Sequence, residues 1–150
     1  MATEMVEQVR RFNRTVTQRV GALDDHFLAR ERPLAEARVL WEIGSDGCEV
    51  RALRVRLGLD SGHASRLLRA LETDGMVRVE AGERDRRVRV ARLTTAGLAE
   101  LAVLDQRSEA LAESLLAPLA PEQRERLVGA MRESTAEIGR PLSLGHAAER

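Results

Sequence analysis

The 150 residues carry 24 basic and 24 acidic side chains, every basic one an arginine, for a formal net charge of zero. That length makes one domain of ordinary size, and a neutral chain can hold nucleic acid only through a local basic block. The single cysteine excludes an internal disulfide and fits a reducing cytoplasm; no apolar run approaches the ~18 residues of a membrane span, and the amphipathic, acid-bearing N-terminus is not a secretory signal.

Residues 4–31 read as one helix, because Met5, Val9, Phe12, Val16, Val20, Leu23 and Phe27 recur every three to four residues. Pro33 interrupts this pattern and suits the first turn of a second helix that runs to about Gly44. Val50, Leu53, Val55 and Leu57 mark a short amphipathic segment that Gly58 breaks. Residues 60–75 follow as another helix. Asp60 or Ser61 can cap it by accepting hydrogen bonds from exposed backbone N–H groups, and Gly75 can close it in a left-handed turn. A short helix, a glycine-containing turn and a second helix make the helix-turn-helix pattern.

Residues 76–79 and 88–93 are rich in β-branched side chains and bounded by turn residues, so they read as a β-hairpin. Thr94 or Thr95 can cap a long helix through Leu98, Leu101, Leu104, Leu111 and Leu115. Pro118 and Pro121 mark a break and a new start. Leu127, Met131 and Ile138 continue in a last amphipathic helix that Gly139-Arg140-Pro141 stops, and the tail beyond reads as loose. The fold class expected is mainly α with a small β-hairpin: a winged helix-turn-helix core between long N- and C-terminal helices.

Within residues 60–75, Ala64, Leu67, Leu68 and Leu71 form one apolar stripe, while Gly62, Ser65, Arg66 and Arg69 repeat the same spacing on the opposite side. Ser61, Gly62, His63 and Ser65 are small or polar and let a helix N-terminus approach base edges; Arg66 and Arg69 suit guanine or phosphate contacts. A solvated helix face would look the same, so the hairpin matters. Its connection carries Arg84, Asp85, Arg86 and Arg87. A carboxylate among arginines can fix one of them by a charge-assisted hydrogen bond, and an arginine so presented suits a narrow minor groove. Residues 50–92 hold 11 arginines against 6 acidic residues, leaving 13 against 18 elsewhere.

From about residue 34 to 97 the chain resembles the MarR family of bacterial winged helix-turn-helix regulators. The resemblance rests on Glu36-Ala37-Arg38-Val39-Leu40-Trp41, Leu57-Gly58-Leu59, Ser65-Arg66-Leu67-Leu68 with Leu71-Glu72, Gly75-Met76-Val77, Asp85-Arg86-Arg87, and Leu93-Thr94 with Gly97. It implies a recognition helix lined by residues 61–69 and a wing in which Arg87 reaches the minor groove, braced by Asp85. Val79 departs from the family pattern, which often has a basic residue there; Arg78 stands beside it. Residues 9–44 also resemble the start of a MarR subgroup that continues into a GNAT acetyltransferase domain, for which this chain has no room.

The whole chain is thereby expected to form a single domain, with the DNA-binding lobe at about 34–97 and helical dimerisation regions at about 4–31 and 95–140. Long apolar stripes on the terminal helices have nowhere to bury against a small winged core, so pairing with a second copy is expected; two-fold symmetry would then set two recognition helices on a pseudo-palindromic site. The expected partners are double-stranded DNA, a second copy of the chain and a small-molecule effector, the last implied by the family alone. His26, Arg38 and Trp41 could line an effector pocket, although Trp41 reads more readily as core packing. Tyrosine is absent, so an aromatic ligand cage is not expected.

Cys48 offers redox sensing as an alternative, but Asp46 and Glu49 beside it would raise the thiol pKa. His26, His63 and His146 lack metal-ligand spacing. Neither a nucleotide-binding glycine loop nor a Ser/His/Asp arrangement is present, so no enzyme and no cofactor is expected. A winged helix that docks protein would be another class, but it would not need the arginine-rich outer face.

Overall fold

The computed structural model describes residues 2–21 and 27–139 and divides into two compact units, Met1–Leu111 and Ala112–Arg150. In the first unit, helix α1 (Ala2–Arg19) precedes a short 3-10 turn (Phe27–Ala29), α2 (Leu34–Ile43), strand β1 (Cys48–Glu49), α3 (Val50–Leu57), α4 (Ser61–Thr73), β2 (Val77–Ala81) and β3 (Arg89–Leu93). Helix α5 (Thr95–Leu116) leads into α6 (Pro121–Ile138) in the second unit.

The reading of residues 4–31 as one helix is corrected here. Helix α1 ends at Arg19, and Gly21 lies in the left-handed region at φ 67°, the conformation that commonly terminates helices. The apolar spacing continues through Val20, which hides this stop from a periodicity argument. Further on, Leu28 and Ala29 also have positive φ, at 53° and 55°. Their carbonyls accept hydrogen bonds from Arg107 Nη1 at 2.8 and 2.9 Å, so the strained turn is tied to α5.

The helix-turn-helix forms from local signals. Gly58 at φ 63° closes α3 while the Leu59 N–H donates to the Arg54 carbonyl at 2.9 Å. Asp60 Oδ1 accepts from the His63 N–H at 2.7 Å and caps α4. At the other end, the Gly75 and Met76 amides donate to the Glu72 and Leu71 carbonyls at 3.0 and 2.9 Å, a left-handed closure that turns the chain into β2. Ala64, Leu68 and Leu71 of α4 are buried, and Leu68 and Leu71 join Leu40, Leu53 and Leu104 in the core cluster.

The β-hairpin pairs Val77 with Leu93 and Ala81 with Arg89. A third strand, unexpected from sequence, adds Cys48 opposite Ala91, giving the order β1-β3-β2. Two residues are too few to show the alternation that marks a strand. Val79 is half-buried and packs against the core opposite Ala91, which accounts for an apolar residue where the family pattern is often basic.

Thr94 locks the hairpin to its neighbours. Its Oγ1 donates to the Gly75 carbonyl at 2.6 Å and accepts from the Gly97 N–H at 3.0 Å, capping α5. Gly97 sits so close to the chain entering β2 that an added Cβ would stand 2.0 Å from the Met76 carbonyl oxygen.

A buried ion network ties α5 to the opposite side of the lobe. Glu100, 4% exposed, accepts from Arg30 Nε and Nη2 at 2.9 and 2.6 Å and from Arg32 Nε at 3.1 Å. Arg32, also buried, lies 3.6 Å from Glu36 and 4.0 Å from Asp74, the residue that ends α4. The Arg30 hydrogen bonds, aided by the charge of Arg32, hold the Glu100 carboxyl below the usual glutamate range, whereas burial pushes Glu36 up.

In the second unit, Pro121 starts α6, and Gln123 Oε1 accepts from the Ala120 N–H at 2.8 Å. Val128, Met131 and Ile138 lie exposed along this helix. No helix among the described residues is long and apolar enough to cross a membrane.

Two predictions follow from these junctions. A methyl at Gly97 forces α5 away from β2, so Gly97→Ala should cost about 3 kcal/mol or more; an unchanged denaturation midpoint would contradict the close approach. Glu100 has a lowered folded pKa, so its stabilisation is present above the usual carboxylate range and is lost as pH falls through the lowered value. Glu100→Gln should therefore cost about 3 kcal/mol at neutral pH, with the gap to wild type narrowing below about pH 4.3, the unperturbed value. Urea titrations across pH measure it, and a constant gap would refute the network.

Candidate nucleic-acid interface

The outward face of α4 presents the side expected from sequence. Ser61, Gly62, His63, Ser65, Arg66 and Arg69 are all exposed, while Ala64 between them is buried. The small residues lie in the first turn, where an arginine or leucine would hold the helix off a base edge. The His63 amide, ahead of the nearby Arg66 charge, keeps the Asp60 carboxyl below its ordinary range. Asp60 is thus charged at neutral pH at the positive end of the helix.

The wing is a tight structure rather than a loose charged loop. Gly82 N–H donates to the Val88 carbonyl at 2.7 Å, and Val88 N–H to the Asp85 carbonyl at 3.1 Å. A Cβ at Gly82 would meet the Asp85 carbonyl oxygen at 2.8 Å, so only glycine fits the turn without movement. Asp85 Oδ1 accepts from the Arg87 backbone N–H at 3.0 Å and stands 3.4 Å from Arg87 Nε. The Arg87 side chain is 93% exposed. Arg84 and Arg86 beside it are exposed as well. Arg78 is exposed on the sheet, and Arg92 is engaged elsewhere, with Glu80 at 3.1 Å and the Asp46 carbonyl at 3.1 Å.

Three arginines that sequence reading counted but did not assign lie close to the wing. Arg51 and Arg54 on α3 line an open groove with Arg87 and Arg89. The i, i+3 spacing of Arg51 and Arg54 was the available signal; only the fold brings that pair to the base of the hairpin.

Of the expected effector residues, Arg38 and Trp41 do not line one groove. His26 lies outside the described residues. Arg38 is exposed, pairs with Glu42 at 3.9 Å, and lines a groove of about 600 Å³ with Leu34, Leu57 and Leu67. Trp41 is not part of that groove; it packs against the core and donates from Nε1 to Asp105 at 2.5 Å. Cys48 is in β1 and half-buried. Its thiol pKa is raised, as expected, though burial leads and the nearby Glu42 and Glu49 charges come after it. This disfavours the reactive thiolate. Among the described residues no cluster of His, Cys, Asp and Glu could hold a metal.

Residues 32–88 match the MarR family profile. No curated protein sequence matches the chain. Among solved structures, a probable transcriptional regulator from Pseudomonas aeruginosa is similar at 22% identity and TM-score 0.69, covering 86% of this chain and 98% of that one. A MarR variant from E. coli complexed with operator DNA is similar at 21% identity and TM-score 0.67, over 87% and 95% of the two chains. The PcaV transcriptional regulator from Streptomyces coelicolor, in complex with its natural ligand, follows at 22% identity and TM-score 0.64, over 90% and 94%. These neighbours are named as regulators, not enzymes, and at such identities they establish the fold. Residues 32–88 are thus similar to the MarR family, within a winged helix-turn-helix fold that most of the chain's length shares with solved structures named as transcriptional regulators.

Proposed function

We propose that the protein is a cytoplasmic, sequence-specific DNA-binding regulator that works as a homodimer and represses by occupying a pseudo-palindromic operator. The observation that carries this reading is the wing: a glycine-tightened hairpin on which Asp85 contacts a fully projecting Arg87. Beside it, α4 offers small residues first and arginines next. In this reading the helix enters the major groove with Ser61, Gly62, His63, Ser65, Arg66 and Arg69, and the wing carries Arg84, Arg86 and Arg87 to the minor groove. The similar E. coli MarR variant is complexed with operator DNA, which supports reading this chain as DNA-binding.

The dimer reading is supported by the apolar residues left in solvent. Met5, Val9, Phe12 and Val16 lie along one side of α1 and are 66, 59, 51 and 39% exposed. Such a stripe on a helix otherwise rich in charge gains by burial against another copy. A small-molecule effector is supported by the apolar groove next to Arg38, which abuts α3 and α4, and by the ligand-bound PcaV neighbour. Binding there would bias the orientation of the recognition helix.

Two substitutions separate positioning from reading. Arg87→Ala should weaken binding of any duplex at low salt and lower the salt dependence, whereas Arg66→Ala should relax sequence preference more than it lowers nonspecific affinity. Fluorescence anisotropy on cognate and scrambled duplexes measures both, and unaltered cognate affinity in the two variants would sink the interface. Asp85→Ala should speed amide exchange at Arg87, and Asp85→Asn, which keeps an acceptor, should restore protection. Equal exchange in all three proteins would show that the carboxylate does not brace the wing.

A further inference from the structure

The groove between α3 and the base of the wing measures about 520 Å³ and is lined by Glu49, Arg51, Arg54, Arg87, Val88 and Arg89. Four guanidiniums therefore share one concavity with a single carboxylate. Several arginines elsewhere in the lobe are matched: Arg30 and Arg32 hold Glu100, Arg56 pairs with Glu42, and Arg92 pairs with Glu80. Among the described residues, Arg51, Arg54 and Arg89 make no ion pair within 4.0 Å, and Arg54 Nε is buried without a hydrogen-bond partner. A buried donor of a charged group left unpaired is costly, and so is crowding like charges. An anion in the groove relieves both.

We infer that Arg51, Arg54 and Arg89, with Arg87 at the rim, form a phosphate clamp that grips the DNA backbone between the recognition helix and the wing. This rests on the DNA-binding reading above and extends it to residues that carry no sequence information. Guanidinium is the side chain suited to phosphate, because its planar fork offers paired N–H donors that remain charged. The groove takes a backbone phosphate rather than a free one because it is open and continuous with the wing through Arg87. The first helix of a helix-turn-helix also crosses the backbone while the second reads bases. The clamp fixes register on the duplex, leaving discrimination to α4.

The test is the double variant Arg51→Gln/Arg89→Gln in the full chain, both residues being exposed, with an unchanged thermal midpoint confirming the fold. Affinity for a selected cognate duplex and a scrambled one is measured across salt concentrations. The clamp predicts that the slope of log affinity against log salt becomes shallower by about 2, near 0.9 for each lost contact. Both duplexes should lose affinity together, so their ratio holds. An unchanged slope overturns the clamp, and a collapsed ratio overturns it in favour of base reading. In a parallel arm, inorganic phosphate is titrated into both proteins. Saturation below millimolar phosphate in the wild type only, with the DNA slope unaltered, assigns the groove to free phosphate instead. A wild type that binds neither duplex overturns the DNA reading itself, an outcome distinct from loss of the clamp alone.

Discussion

Glu100 is the hinge pin of the winged lobe. One buried carboxylate accepts from two arginines that precede α2, and one of those, Arg32, also lies against Glu36 and against Asp74 at the end of α4. Burying these charges is costly, and the geometry offsets it only while every partner is present. The arrangement therefore specifies position more than it adds stability. It sets α5, the entry to α2 and the tail of α4 at fixed separations. Thr94 and Gly97 complete the join by bringing the N-terminus of α5 onto Gly75 and Met76.

On that frame the chain uses its arginines in two ways. Those inside the lobe are consumed by acids and hold elements together. Those along α4, the wing and the groove of α3 stand exposed or half-buried, and most make no ion pair with the protein. A neutral chain thereby presents a positive surface on one side without a net charge that would draw it to any polyanion. The pair Asp85 and Arg87 is the exception that suits the purpose, since the carboxylate orders an arginine whose guanidinium still projects into solvent.

Much of this was legible because helix ends are chemical signals. Asp60, Gly58 and Gly75 announce the two helices and their closures by residue type alone, and the apolar spacing of α4 gives its buried face. Thr94 as a cap was readable for the same reason. What was hidden depends on distant partners. Arg32 and Glu100 are 68 residues apart, so nothing local marks them. Strand β1 exists only because Cys48 and Glu49 lie beside β3. At Gly21 a period of apolar residues outlasted the helix that produced it. Arg51 and Arg54 were visible as charges, but only the fold places them beside Arg87. Trp41 shows the reverse, since proximity in sequence to Arg38 did not bring the two into one groove.

In the proposed function, two copies of this chain read one DNA site with paired recognition helices. Selection of bound duplexes from a random pool, using the intact protein, tests it most directly. A two-fold dimer enriches an inverted repeat whose half-sites are centred about 10–10.5 base pairs apart or a multiple of that. Enrichment of a lone half-site, or of no motif at all, would contradict it.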